Sequence, residues 1–241
     1  MVLKYVRFFL LGIIIVIGCI IGIIYSLFRP TNPSNVIVPA KFIGIVGSFV
    51  MGIKISIEDR HNLDNLPPCV VISNHQSNLD ILPFGSFLPS RTVTLGKKSI
   101  FSIPLFGQMY WLSGNILIDR VNKKSAWKTM DKVTNAITNN NTRVWIMPEG
   151  TRSKGRGVLP FKKGAFATAV KAQCPILPVC ISSMDKHLDF SRWKTGTIKV
   201  KILPLVETRQ YNDKTVNELK DHCWNLISKE VENLDNSYCI G

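Results

Sequence analysis

The sequence predicts an α/β fold, a largely parallel central sheet flanked by helices, behind an N-terminal helical segment inserted in a membrane. Three observations carry that expectation. An uncharged apolar run extends from Phe8 to Phe28. After Lys54, short apolar runs alternate with stretches whose apolar residues recur at helical spacing, the pattern of a parallel sheet covered on both faces. The chain carries 30 Lys and Arg against 16 Asp and Glu, a formal net charge of +14, which attracts phosphates, anionic headgroups or an acidic protein.

The run Phe8 to Phe28 is 21 residues long, enough for a helix of about 31 Å that matches a hydrocarbon core. No small-residue cleavage site follows it between Tyr25 and Pro33, so an uncleaved anchor is expected. Gly18 and Gly22 inside it form either a helix-packing face or two glycines tolerated in lipid, and the second is the simpler reading. A second apolar stretch, Phe42 to Ile53, is too short to span comfortably. Lys4 and Arg7 favour a cytoplasmic N-terminus, which with a single crossing puts the rest of the chain on the other side. A hairpin that enters and leaves on one side resolves the conflict, with Pro30 to Asn35 as its turn. The expected division is therefore a membrane anchor over 1–53 and an α/β domain over 54–241.

In that second part, strands are expected at 55–57, 70–73, 92–95, 115–118, 144–147, 176–181 and 198–203. Helical patterns start at Ser125, a plausible N-cap, and at Gly164, and one covers Val216 to Leu234. Ligands of such folds gather at the carboxyl ends of the strands. The six cysteines show no C-x-x-C spacing and read as buried hydrophobes in a reducing compartment. The four histidines give no metal-ligand spacing on a helix, so no metal is expected; no cofactor is expected either. Zinc-finger spacing and aromatic-rich basic motifs are missing too, which argues against nucleic acid.

Two motifs carry the chemistry. Asn74-His75-Gln76-Ser77-Asn78-Leu79-Asp80 follows the apolar run Val70–Ser73. His75 falls in the strand-to-helix turn, and Asp80 in the first turn of a helix starting near Leu79, with Ser77 or Asn78 as cap. If the turn folds back, the Asp80 carboxylate fixes the His75 tautomer, and the other ring nitrogen can take a proton from a hydroxyl. With no G-x-S-x-G elbow in the chain, that hydroxyl can belong to the substrate. The second motif, Pro148-Glu149-Gly150-Thr151-Arg152, follows its own strand and should open on the same sheet edge. From Gly150 to Met184, 35 residues hold no acid and six bases. Gly150 lets backbone amides approach an anion, Arg152 can grip a phosphate bidentately, and Lys162-Lys163-Gly164 opens a helix. Glu149 either orients Arg152 or accepts a hydrogen bond from a substrate hydroxyl. Arg120, at the end of the strand-like Asn115–Ile118, is a second candidate phosphate ligand. Lys97 and Lys98 form a weaker candidate, and Pro175 and Pro178 bracket a strand in a way unusual for a central one.

Four blocks in this order resemble the glycerolipid acyltransferase family. They are residues 74–80, Gly114-Asn115-Ile116-Leu117-Ile118-Asp119-Arg120, residues 148–152, and Cys174-Pro175-Ile176-Leu177-Pro178-Val179. Gly96-Lys97-Lys98-Ser99, Phe106 to Trp111 and Leu159-Pro160-Phe161-Lys162 narrow the resemblance to the bacterial 1-acyl-glycerol-3-phosphate acyltransferases. The resemblance implies a glycerol-3-phosphate acyltransferase-like fold. It also implies transfer of an acyl group from acyl carrier protein or coenzyme A to the sn-2 hydroxyl of lysophosphatidic acid, forming phosphatidic acid in phospholipid biosynthesis at the cytoplasmic face of the bacterial inner membrane. His75 becomes the general base and Asp80 its orienter, with no covalent acyl-enzyme. Arg120, Glu149, Gly150, Thr151 and Arg152 surround the acceptor's phosphate. Lys97, Lys98, Lys162, Pro175 and Pro178 are left to the acyl donor or to secondary phosphate contacts, and anionic membrane lipids are expected partners. Met147 stands where many members carry Phe. Two other readings are acylation of a different lysophospholipid and a catalytically inactive, membrane-anchored lipid-binding or scaffolding protein; the intact His75 and Asp80 argue against the latter.

Overall fold

A computed structural model describes residues 2–119 and 121–239. Arg120 therefore lies outside the described residues. The chain divides into two units: Met1–Ile55, Asn78–Thr129 and His187–Ile198 form one, and Ser56–Ser77, Met130–Lys186 and Lys199–Gly241 the other. The expected strands are all present: β1 (Ile53–Glu58), β2 (Val70–Ser73), β3 (Thr92–Lys97), β4 (Ile116–Ile118), β5 (Arg143–Ile146), β6 (Ile176–Ile181) and β7 (Gly196–Ile202).

The second unit holds the strands β5, β2 and β6, and the residues of β7 that pair with β6. β2 runs parallel to both neighbours, with Ile72 opposite Ile146 on one side and Pro178 on the other. Every residue of β2 and β6 is buried, as expected of strands covered on two faces. β7 pairs antiparallel with β6 and alternates, burying Ile198, Val200 and Ile202 while Lys199 and Lys201 stay partly exposed. Pro178 is tolerated in an interior strand because β7 has ended at Ile202. Leu203 donates to the Pro178 carbonyl, and the antiparallel contact resumes only at Ile176 and Val206. The helices α6 (Gly164–Ala172) and α8 (Val216–Asn236) pack on this sheet and on each other. They bury Phe166, Ala169, Leu219, Cys223 and Ile227 at helical spacing.

In the first unit β3 and β4 pair in parallel, Leu95 opposite Ile116. Helices α1 (Val2–Leu27), α2 (Ile37–Met51), α3 (Ile81–Phe87) and α4 (Phe106–Leu112) pack together there. α1 and the segment Pro33–Met51 are long and apolar enough to cross a membrane. α5 (Lys123–Asn140) starts two residues before Ser125, whose amide instead donates to the Asn122 side chain, so Asn122 does the capping expected of Ser125. α7 (Met184–His187) is a single turn.

Two features of α1 depart from expectation. Gly18 and Gly22 are a packing face: a Cβ at Gly18 meets the Ile43 side chain at 2.6 Å, and one at Gly22 meets Met109 at 2.7 Å. Arg7 is not a solvated flank of the apolar run but lies within the helix, only 5% exposed. Its guanidinium donates to the Arg192 carbonyl at 2.6 Å, to Thr195 Oγ1 at 2.8 Å and to the Trp193 carbonyl. Thr195 Oγ1 in turn donates to the Met51 carbonyl. A buried cation is tolerated only when so saturated. At the other end of α1, Ser26 Oγ lies 3.4 Å from Ser113 Oγ, and just beyond it the Thr31 amide donates to the Leu112 carbonyl.

Arg7→Leu should lower the unfolding temperature in detergent by roughly 5–10 °C, because it removes charge-assisted bonds jointly contributing about 2–4 kcal/mol and leaves buried acceptors behind. Arg7→Lys should recover only part of this, since an ammonium cannot reproduce the guanidinium fork. Differential scanning calorimetry of the three proteins checks it.

Candidate active site

His75 follows β2 and Glu149 follows β5, adjacent parallel strands, so both turns open on one edge as the sequence requires. Backbone bonds then join them. The His75 amide donates to Glu149 Oε1 at 2.6 Å. The His75 carbonyl accepts from the Ser153 amide at 2.8 Å, and the Gln76 carbonyl accepts from the Lys154 amide at 3.2 Å. The 148–154 turn thus wraps the histidine from both sides of its own peptide unit.

Glu149 is 3% exposed, and its other oxygen, Oε2, accepts the Leu159 amide at 3.1 Å. A carboxylate stripped of water is stable when charge-assisted bonds replace its hydration, and two backbone amides supply them here. Glu149 therefore fastens the histidine turn to the 148–159 loop. The turn itself needs Gly150, whose φ of +70° is left-handed, and whose amide donates to the Met147 carbonyl. A Cβ at Gly150 meets Lys162 Nζ at 2.9 Å, so the lysine ammonium caps the turn; the Lys162 amide bonds to the Pro148 carbonyl. Thr151 and Arg152 are exposed beside it. Arg156 donates from Nε to the Ser153 carbonyl, closing the loop.

The other side of the histidine turn is held by two residues to which the sequence motifs assign no role. Asn74 donates to the Ile181 carbonyl at 2.8 Å and accepts from the Ile181 amide at 3.0 Å, so its side chain continues the β2–β6 ladder. Gln76 donates to the Ile181 and Ser182 carbonyls and accepts from the Met184 amide. Asn74 and Gln76 are both buried while His75 between them is half-exposed. That alternation of polar residues was the available signal. The 182–186 segment is itself tied to α8 by Asp235, which accepts from the Ser183 amide and hydroxyl and from Lys186. Burial pushes the Asp235 carboxyl up, but the Ser183 and Lys186 bonds outweigh it and hold it below the usual range. A buried acid on the apolar stripe of α8 was the sign of it.

In the other unit, Asp80 ends a 3-10 turn, Asn78–Asp80, and is 2% exposed at the start of α3. Lys97 and Lys98 are exposed at the end of β3, and with Ser99, Ser102, Ile118 and Asp119 they line a cleft of about 270 Å³. Lys98 lies 3.8 Å from Asp119. The Asn122 and Val121 amides hold the Asp119 carboxyl below its usual range. Pro175 is not brought to His75: it precedes β6, with its carbonyl bonded to the Val70 amide at the far end of β2, about 17 Å along the chain from His75 at 3.3 Å per residue. Burial pushes the Cys69 and Cys223 thiols up to about 12 and Cys174 up to about 11, so none of these is a thiolate nucleophile at neutral pH. Among the described residues no group of three or more His, Cys, Asp or Glu could hold a metal ion.

An acyltransferase family profile matches residues 54–182. The 1-acyl-sn-glycerol-3-phosphate acyltransferase of Haemophilus influenzae is 37% identical over 239 residues, 99% of each chain. The chain belongs to the 1-acyl-sn-glycerol-3-phosphate acyltransferase family. Another member, from Salmonella typhimurium, is 39% identical over 220 residues, 91% of this chain and 89% of that one. The crystal structure of the 1-acyl-sn-glycerophosphate acyltransferase from Thermotoga maritima has the same fold, with a TM-score of 0.76 over 97% of this chain and 95% of that one at 23% identity. As an acyltransferase of this family, the chain is a membrane-associated enzyme with two apolar N-terminal helices.

Glu149→Gln keeps the shape of the carboxylate but presents one amide nitrogen to a backbone N–H. It should lower kcat by on the order of 10²-fold, the cost of misplacing a catalytic group by about 1 Å, while the KM for the acceptor changes little. Faster amide hydrogen exchange at residues 75–77 should accompany the loss. A raised KM with unchanged exchange would instead make Glu149 a substrate ligand.

Proposed function

We propose that the chain transfers a fatty acyl group from an acyl thioester to the sn-2 hydroxyl of 1-acyl-sn-glycerol 3-phosphate, yielding phosphatidic acid. The observation that carries this reading is the backbone wrap of the 148–154 turn around His75, which puts a base next to a basic, anion-seeking loop. His75 takes the hydroxyl proton as the oxygen attacks the thioester carbon. The C–S bond then breaks, and the departing thiolate recovers the proton from the imidazolium, so no acyl-enzyme forms. Asp80, five residues on, fixes the imidazole tautomer. Arg152, with Thr151, Gly150 and Arg120, takes the acceptor's phosphate; held there, the hydroxyl sits in near-attack geometry. Glu149 contributes through its hold on His75. Lys162 adds charge at the turn, and Lys97 and Lys98 meet phosphates of the donor, coenzyme A or acyl carrier protein. Pro178 and Pro175 shape the strand rather than touch the donor.

We further infer that α1 and α2 lie in one leaflet, with the catalytic chemistry on the cytoplasmic face of the bacterial inner membrane. Both ends of α1 are bonded to the remainder of its own unit, Arg7 to residues 192–195 and Ser26 to Ser113. A helix crossing the bilayer would leave one of those partner segments on the far side. The outward apolar residues of α1, Phe9, Ile13, Ile17, Ile20 and Ile24 among them, then face lipid.

The deciding experiment crosses several lysolipids with both thioester donors, using the purified full chain. Lysophosphatidic acid should be preferred over lysolipids with larger headgroups; equal use of all would overturn the acceptor assignment. His75→Ala should cut turnover by roughly 10²–10⁴-fold with an unchanged unfolding temperature, and near-normal turnover would reject the base. Arg152→Ala should raise the KM for lysophosphatidic acid by roughly tenfold or more, as expected for a lost charge-assisted contact.

A further inference from the structure

The segment Asp189–Lys194 takes no part in the chemistry above, yet it is built with unusual care. It exposes Trp193 to 79%, and the Arg192 side chain to 78%, with Lys194 also exposed. An indole left in water forfeits a large hydrophobic gain. This one is not on a slack loop: Arg7 grips the Arg192 and Trp193 carbonyls from inside, and the Thr195 amide donates to the Gly52 carbonyl. Gly52 is required at that point, because a Cβ there would stand 2.6 Å from the Arg7 guanidinium and from the Trp193 carbonyl. With its backbone drawn inward, the loop presents its side chains outward.

The patch is continuous with the outer face of α1. Phe190 packs on Phe8 with ring centroids 5.3 Å apart, and the Arg7 guanidinium lies 5.7 Å from the Trp193 ring. One turn earlier on α1, Lys4 and Tyr5 are exposed. Tryptophan and tyrosine beside lysine and arginine is the composition of a membrane–water interface, where the ring sits among the glycerol groups and the cations meet phosphates. The local charge agrees: within residues 2–8 and 189–194, Lys4, Arg7, Arg192 and Lys194 are set against Asp189, itself 3.2 Å from Arg192 and capped by Ser191.

We propose that the Asp189–Lys194 loop is a second membrane contact, inserting Trp193 at the headgroup level of an anionic bilayer and fixing the depth of the N-terminal end of α1. The proposal rests on the single-leaflet reading of α1 and α2 but can fail separately from it. Trp193→Phe removes one indole emission and keeps a ring. Full-chain wild type and W193F are reconstituted in phosphatidylglycerol-containing vesicles, with and without lipids brominated high on the acyl chain, and flotation scores hairpin insertion independently. The wild-type-minus-W193F emission should be quenched by the brominated lipid and shielded from aqueous iodide. A difference emission open to iodide and indifferent to bromine, in protein that floats, overturns the proposal. Protein that does not float overturns the hairpin instead. Arg192→Ala with Lys194→Ala should weaken seating of the loop by roughly fivefold per charge removed, with unchanged turnover on detergent-dispersed acceptor; turnover lost in detergent would make the loop a structural element of the enzyme and reject the lipid role. If acidic acyl carrier protein without lipid shifts the Trp193 emission while brominated lipid does not, the patch docks protein, and the lipid assignment falls.

Discussion

His75 sits in a turn whose backbone is bonded on both sides by one loop, and the rest of the site takes its position from that arrangement. The Glu149 carboxylate holds the His75 amide, and the Ser153 amide holds its carbonyl. Because β2 and β5 are parallel neighbours, the two turns emerge side by side, and the short reach of a glutamate is enough to join them. Asn74 and Gln76 do the same on the β6 side, and Asp235 secures that side to α8. The cationic side chains of this loop, Arg152, Lys154 and Arg156, remain exposed. A firmly held histidine beside long, exposed cations suits the proposed reaction, in which the acceptor's hydroxyl must be placed accurately whereas its phosphate can be met by side chains that adapt to it.

How much of this could be read from the sequence follows from which interactions are local. β2 and β6 are found with the limits expected, since buried parallel strands are plain apolar runs. α4 went unread because it is a single seven-residue helix, too short for its periodicity to stand out. Asn122 caps α5 in place of Ser125, a slip of the size that cap residues in polar stretches invite. In the candidate site, the histidine turn and the basic turn were legible as motifs and as neighbours on one sheet edge. The work of Glu149 was not, for its partners are backbone amides 74 residues before it and 10 after it, and a backbone amide leaves no mark in a sequence.

Arg7 shows the same limit from the opposite direction. A cation at the margin of an apolar run ordinarily marks the water boundary, and the positive-inside argument depends on that. Here the partners are carbonyls and a hydroxyl some 185 to 188 positions away, so Arg7 is part of the packing. The consequence is mechanical. A guanidinium buried under the first turns of α1 ties that helix to the segment 192–195, while Gly18 and Gly22 let α2 and Met109 approach it closely. With contacts fastened along its length, α1 cannot swing away from its unit to cross a bilayer without breaking them. On the single-leaflet reading proposed above, its exposed apolar face meets lipid from the side. Burying that face, at about 25 cal/mol per Å², stabilises the inserted state by more than any one of the polar bonds that hold the helix in place. The polar bonds decide which face is offered, and the hydrophobic effect decides that it is buried.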